Sequence, residues 1–197
     1  MQSLYYDRLM EILNKDKIIL DLCGGTGSWS KPYKEAGYDV RLITLPDNDV
    51  LTYEPPENVY GILAAPPCTE FAGSGARWWK DKDPDLLEMA LKVFDRCIDI
   101  IFSSNPKFWA LENPVGRLKT LRKHCLGEPS LIFNPCDYGN PYTKKTLVWG
   151  EFDIPVKNPV EPVGKNPIHY MPPSKDRQML RSITPQGFAK AFMEANL

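Results

Sequence analysis

The chain has 197 residues, of which 43% are hydrophobic and 25% charged, with a formal net charge of −1. That length matches one domain with a single buried core and a small appendage, and the composition excludes wholesale disorder. No apolar run approaches the roughly 18–20 residues that span a bilayer, and five cysteines without a CxxC pair exclude a disulfide framework or a zinc site.

The opening residues, MQSLYYDRLMEILNKDK, lack the marks of a secretory leader, so a reducing cytosol is the expected setting. The first predicted element is a helix over residues 3–14, with Leu4, Leu9, Ile12 and Leu13 on one side. KIILDLC, residues 17–23, is a short apolar run ending in glycines and reads as a buried parallel strand. A helical pattern over 29–36 follows, then a turn at Gly37 and a second strand over 38–45. A third apolar run, 59–65, stops at Pro66-Pro67. The longest predicted helix covers 84–103, where Leu87, Leu91, Phe94, Ile98 and Ile101 recur at helical spacing. Strands are predicted at 108–111, 131–133 and 146–149. This alternation predicts an α/β domain with a mainly parallel central sheet and helices on both faces.

Beyond Gly150 the texture changes. Residues 155–185 hold seven of the 19 prolines and show no helix or strand period, which predicts an extended surface arm. Thr184-Pro185-Gln186 then opens a last helix, with Thr at the cap and Pro just inside it. The expected division is a main domain over 1–150, an arm over 151–183 and a helix over 184–197 that docks back. Charge follows the same divide. Residues 1–113 carry 12 Lys+Arg against 18 Asp+Glu, whereas 114–197 carry 12 against 7. A basic C-terminal half suggests a polyanionic partner.

In parallel α/β sheets, ligands bind beyond the carboxyl ends of the strands. The first strand runs into Asp21-Leu22-Cys23-Gly24-Gly25-Thr26-Gly27, a loop whose glycines permit a tight turn and close approach to a dinucleotide or S-adenosylmethionine. Ser28-Trp29-Ser30 follows, so the third glycine of the dinucleotide fingerprint is absent. The second strand ends in Thr44-Leu45-Pro46, with Asp47 and Asp49 further into its loop. After the third, two prolines fix the backbone and present Cys68 as a candidate nucleophile. After the fourth comes Glu112-Asn113-Pro114, which offers a carboxylate for hydrogen bonding or acid–base work.

DLCGGTG, PPC, ENP and NPCDYGNPYTKKT occur in the order and approximate spacing of the DNA (cytosine-5) methyltransferase motifs, which read approximately DLFxGxGG, GPPCQ, ENV and ADYGVPQxRxR. The chain resembles that family over about residues 17–150, most specifically at Asp137, Tyr138, Gly139 and Pro141. The resemblance implies a Rossmann-like, S-adenosylmethionine-dependent methyltransferase fold acting on DNA. It puts Gly24, Gly25 and Gly27 along the cofactor, with Cys23, Thr26 and Pro66 beside them, Asp21 bracing the loop and Asp49 at the adenine. Cys68 becomes the nucleophile at cytosine C6, and Glu112 holds the base at N3 and its exocyclic amine, with Pro67 and Asn113 nearby. Lys144 matches the family's first motif arginine. Thr146 stands where the second would help bind the base, so either Lys145 substitutes for its charge or turnover is weaker.

Thr69 also replaces the glutamine that follows the family's cysteine, and only the proline-rich arm fills the place of a sizeable target-recognition domain. Lys157, Lys165, His169, Lys175, Arg177 and Arg181 give that arm phosphate-gripping groups. GSGARWWKDKD, with Arg77, Trp78 and Trp79, is a candidate for stacking on a displaced base. RLKTLRKH, residues 117–124, is either a further phosphate patch or a solvated helix face. The leading expectation is a compact, phage-type cytosine-C5 methyltransferase of DNA, working without a metal in a host's cytoplasm. The alternatives are a cytosine-directed enzyme acting on nucleotide or RNA, and a binding protein that keeps the methyltransferase shell without turnover. Cys97 and Cys125 read as structural.

Overall fold

β1 (Ile18–Leu22) is buried nearly from end to end because both faces of its sheet are covered. Ile19 enters one apolar cluster, and Leu20 and Leu22 enter the other. The same alternation recurs in β3 (Val59–Ala64) and β4 (Phe108–Pro114), where Leu63 and Ala110 face one way and Ile62, Ala64 and Leu111 the other. β2 (Asp39–Ile43), β5 (Leu131–Phe133) and β6 (Thr146–Glu151) complete a six-stranded sheet of order β2-β1-β3-β4-β6-β5. β2, β1, β3 and β4 are parallel, whereas β6 runs antiparallel to both β4 and β5. The computed structural model describes residues 13–163, 171–172 and 174–197. Most of the helix expected over 3–14, including Leu4, Leu9 and Ile12, lies outside the described residues, as do Lys165 and His169; Leu13 is exposed.

Helices cover both faces. α1 (Lys31–Glu35) joins β1 to β2, and α2 (Pro84–Ser104) joins β3 to β4 on the opposite face. α2 starts where the Asp83 carboxylate accepts the Asp85 amide and Pro84 pre-sets the first turn, and it stops at left-handed Asn105. Its stripe of Phe94, Cys97, Ile98 and Ile101 packs on Leu20, Leu22 and Ile62; truncating a buried ring such as Phe94 to alanine costs about 3–5 kcal/mol in such a core. Two single-turn helices, α3 (Leu118–Leu121) and α4 (Lys123–Leu126), follow β4. α5 (Arg177–Ser182) and α6 (Gln186–Ala195) close the chain. α6 docks back through Phe188 and Phe192 against Ile19, Tyr33 and Phe108, and the Phe188 ring stacks on Phe133 at 3.9 Å.

Three expectations need correction. β4 extends to Pro114, because its antiparallel partner β6 keeps pairing through Pro114–Thr146, so Glu112 and Asn113 belong to the strand rather than to a loop. The arm is not structureless throughout: residues 177–182 form a helix. Pro185 occupies the cap position of α6, and Thr184 lies outside it, its amide donating to Ser28 Oγ at 2.9 Å. No helix among the described residues is long and apolar enough to cross a membrane.

The topology fixes where a ligand can sit. β1 lies between β2 and β3, and the connections leaving β1 and β3 turn to opposite faces of the sheet. Loops that diverge in this way leave a crevice at the strands' carboxyl ends.

Candidate active site

A cleft of about 1290 Å³ occupies that crevice. Its first wall is the loop after β1. Asp21 is fully buried; Ser30 Oγ donates to its Oδ2 at 2.5 Å, while Oδ1 is buried without a hydrogen-bond partner among the described residues. Desolvation pushes this carboxyl up to about 6, against the opposing pull of the Ser30 hydrogen bonds. Gly24 lies directly over it: a β-carbon there would stand 2.3 Å from Asp21 Cγ, so only glycine fits. Gly25 follows in the left-handed region at φ 55°, as does Cys23 at φ 57°, whose amide donates to Ile43 O. Across the crevice, the loop after β2 contributes Thr44, Asn48, Asp49 and Val50. Asp49 is exposed, and its Oδ1 accepts the Leu51 amide.

The second wall comes from β3, β4 and β6. Pro66 and Pro67 carry the chain from β3 to Cys68, and Asn113 anchors that approach by donating from Nδ2 to Pro66 O at 3.0 Å. The Cys68 carbonyl accepts the amides of Phe71 and Ala72, which folds the chain into a tight turn behind the sulfur. Glu112 from β4 and Lys144 from the segment before β6 share this wall. Burial is the main force pushing the Cys68 thiol up, and the Glu112 charge adds to it, whereas Lys144 and Arg181 pull it down. Desolvation likewise raises the Glu112 carboxyl, with Lys144 opposing.

The residues singled out in the sequence divide cleanly by position. Asp21, Cys23, Gly24, Gly25, Asp49, Pro66, Pro67, Cys68, Glu112, Lys144 and Lys145 all line the one cleft. Thr26, Gly27, Asn113 and Thr146 are not on its lining. Thr146 is buried in the sheet between Pro114 and Phe133, and its hydroxyl donates to Lys144 O at 2.9 Å, so that side chain positions its neighbour instead of facing the cleft. Arg77, Trp78 and Trp79 also lie off the lining, in a 3-10 segment over Gly73–Asp81. There the Arg77 guanidinium sits over Trp78 at 4.9 Å, and Trp78 is 55% exposed.

That segment is strapped to the one after β4. Arg117 Nε donates to Glu70 O at 2.8 Å and its guanidinium covers Trp79 at 4.8 Å, while Gly73 N donates to Val115 O. Lys82 closes the other side, with Nζ on Thr69 O and 3.0 Å from the Glu70 carboxylate. The basic run over 117–124 is largely committed to such contacts, since Arg122 forms a two-pronged pair with Asp95, at 2.7 Å on each oxygen.

Sequence reasoning missed two features of the cleft. Trp29, buried against Phe188 and Phe192, forms part of the lining. The arm returns as α5 across the opening, bringing Arg177, Met179, Arg181 and Ser182 to the cleft. Only the basic spacing of Lys175, Arg177 and Arg181 hinted at this, and it says nothing about where they land.

No family model matches the chain. It is 26% identical over 168 residues to the Type II methyltransferase M.DdeI of Desulfomicrobium norvegicum, across 66% of this chain and 39% of that protein. It is 29% identical over 154 residues to a probable DNA (cytosine-5)-methyltransferase of frog virus 3, across 68% of this chain and 71% of that protein. The chain thus spans well under half of M.DdeI and most of the viral relative. A solved structure of a candidate DNA modification methyltransferase encoded within an E. coli prophage superposes with a TM-score of 0.53 at 16% identity, over 75% of this chain and 53% of that one.

The mostly parallel six-stranded sheet, with a cleft at its carboxyl edge, makes this an α/β protein whose fold is shared with that structure. The named relatives and the ordered motifs narrow the likeness: the chain is similar to members of the DNA (cytosine-5) methyltransferase family. Members of that family use S-adenosylmethionine.

Proposed function

We propose that this protein has a Rossmann-like fold, binds S-adenosylmethionine and methylates C5 of cytosine in DNA through a covalent bond between Cys68 and C6. The observation that carries the reading is the joint placement of Cys68, Glu112 and Lys144 opposite the Gly24–Gly25 turn in one cleft. The residues present fit the cofactor. Gly24 leaves its backbone bare above Asp21, Asp21 keeps a buried oxygen without a partner among the described residues, and Asp49 faces the same space. Asp21, Gly24, Gly25 and Asp49 are the residues that would hold it. When bound, S-adenosylmethionine supplies the methyl group.

C5 of cytosine is a poor nucleophile until sulfur adds at C6. The Cys68 thiolate forms the S–C6 bond, and the displaced electron pair is drawn through the ring toward N3. Glu112 meets that demand: desolvation favours its neutral acid, which donates to N3 as charge builds there. A neutral Glu112 also removes the negative charge that opposes ionisation of Cys68. Once C5 is methylated, the C5 proton passes to water, the S–C6 bond breaks as the 5,6 double bond re-forms, N3 returns its proton to Glu112, and the Cys68 thiolate is released. Thr146 does not face the base, so the positive charge of this wall comes from Lys144 and its neighbours. In a duplex the cytosine must leave the stack to reach a sulfur within this cleft.

The direct test incubates the protein with radiolabelled S-adenosylmethionine and DNA, then digests the DNA and separates the nucleosides. Label in 5-methylcytosine that disappears with Cys68→Ala supports the reading. Label that enters RNA or a free cytosine nucleotide but never DNA contradicts it. Activity that survives Cys68→Ala contradicts the covalent route.

A further inference from the structure

We infer that Arg181, contributed by the arm, is a positioning residue of the Cys68 pocket whose guanidinium supplies, together with Lys144, the positive charge facing the sulfur. The inference rests on the reading of Cys68 as a nucleophile, and it extends that reading to a segment for which the family motifs offer no counterpart.

The geometry begins with how α5 is held. Lys144 Nζ donates to the Arg181 carbonyl at 2.9 Å. Just beyond the helix, the Thr184 amide donates to Ser28 Oγ at 2.9 Å. The last turn of α5 is therefore pinned from two sides, once by the segment before β6 and once by the loop after β1. Ser182 Oγ is the nearest side-chain atom to the Cβ position of Gly25, at 3.9 Å. Pinned in this way, Arg181 lines the same cleft as Cys68, Glu112 and Lys144.

The two cations do different work. The Lys144 ammonium is tied to the Arg181 carbonyl, whereas the Arg181 guanidinium makes no hydrogen bond or ion pair with a described residue. A guanidinium presents a planar fork of donors suited to an acceptor entering the cleft. Around the sulfur, the charge that opposes ionisation comes from Glu112 on β4, and the charges that favour it come from Lys144 before β6 and Arg181 on α5. Asp21, Asp49, Lys145, Lys175 and Arg177 also line the cleft. Thr146, at the place of a motif arginine, is uncharged and turned toward Lys144 O. The arm thus adds a cation to the wall where Lys144 opposes Glu112.

The test reads the thiol directly. Cys68 is alkylated with iodoacetamide across a range of pH, and mass spectrometry follows its peptide. The thiol proton passes to water, the sulfur forms a bond to carbon, and iodide leaves, so the rate tracks the thiolate fraction. Arg181→Gln is expected to raise the midpoint by about 0.5–1 pH unit. Arg181→Met, which keeps the aliphatic stem, gives the same rise, and Arg181→Lys returns the midpoint close to the wild-type value. Melting temperatures confirm that the compared proteins are folded. An unchanged midpoint in folded Arg181→Gln or Arg181→Met overturns the inference, as does a rise that Arg181→Lys fails to correct. Alkylation needs neither methyl donor nor DNA. A raised midpoint therefore supports this role for Arg181 even if methyl transfer to DNA is never detected, a result that would end the wider reading instead.

Discussion

The two walls of the cleft are built by different means. The wall after β1 is fixed by backbone and burial: Asp21 is sealed beneath Gly24, and Cys23 is hydrogen-bonded to the end of β2. The opposing wall is assembled from side chains that reach across elements, with Asn113 on Pro66 O, Lys144 on Arg181 O and Arg117 on Glu70 O. The first wall leaves no room for a side chain at Gly24, because a β-carbon there meets the buried Asp21 carboxylate. A wall built from side chains can be weakened step by step. Changes on the first wall should therefore appear mainly in stability and cofactor affinity, and changes on the second mainly in reactivity.

The largest effect on the second wall is expected from Glu112→Gln. The amide cannot deliver a proton to N3, and kcat should fall about 10²–10⁴-fold while the melting temperature barely moves. A variant that lost stability in proportion to activity would erase the distinction between the walls.

Asp21 sharpens the comparison through pH. Its carboxyl is raised from 3.8 to about 6 by burial, so the folded state binds the proton more tightly than the unfolded chain does. The associated stability is fully present below pH 3.8 and is lost as pH rises through about 6. By linkage the loss is on the order of 3 kcal/mol. Asp21→Asn, whose amide oxygen can still accept the Ser30 hydroxyl, should show a flatter melting profile across that interval. Parallel profiles for the two proteins would mean that Asp21 is not proton-linked as its burial implies.

The smallest effect is expected from Arg117→Ala. It removes the bond to Glu70 O and the cover over Trp79, loosening the turn behind Cys68 without touching the sulfur. A decrease of about tenfold in kcat/KM is anticipated, in line with a misplacement remote from the chemistry. No change would show that the strap plays no part in holding Cys68.

Much of the fold was legible because its signals are local. The apolar runs at residues 17–23 and 59–65 and the 3–4 spacing of α2 are properties of short windows, and the structure matches them to within a residue or two. β4 was read too short because its last residues are held by pairing with β6, a partner more than thirty positions away. α5 was missed for a similar reason. Six residues cannot sustain a helix alone, and this one is held by Lys144 and by the contact of Thr184 with Ser28.

The site followed the same rule. Cys68, Glu112 and the glycine loop share one cleft because the carboxyl-terminal parts of β1, β3 and β4 lie side by side. Thr146 stands at the place of a motif arginine, and the pairing of β6 with β4 and β5 buries it in the sheet with its hydroxyl on Lys144 O. Trp78 and Trp79 suggested stacking, but their present partners are Arg77 and Arg117. Arg181 could not be placed by pattern at all, since its position depends on a return of the arm that no short window encodes.

The most direct test of the central claim is to trap the covalent bond. DNA containing 5-fluorocytosine, single- and double-stranded, is mixed with the protein and S-adenosylmethionine, and the products are resolved on a denaturing gel and mapped by mass spectrometry. Fluorine at C5 blocks the final elimination, so a sulfur that has added to C6 stays attached. The account predicts an adduct that requires the methyl donor, maps to Cys68 and vanishes with Cys68→Ala. No adduct in a protein shown separately to bind both S-adenosylmethionine and DNA, or an adduct that persists without Cys68, would contradict it.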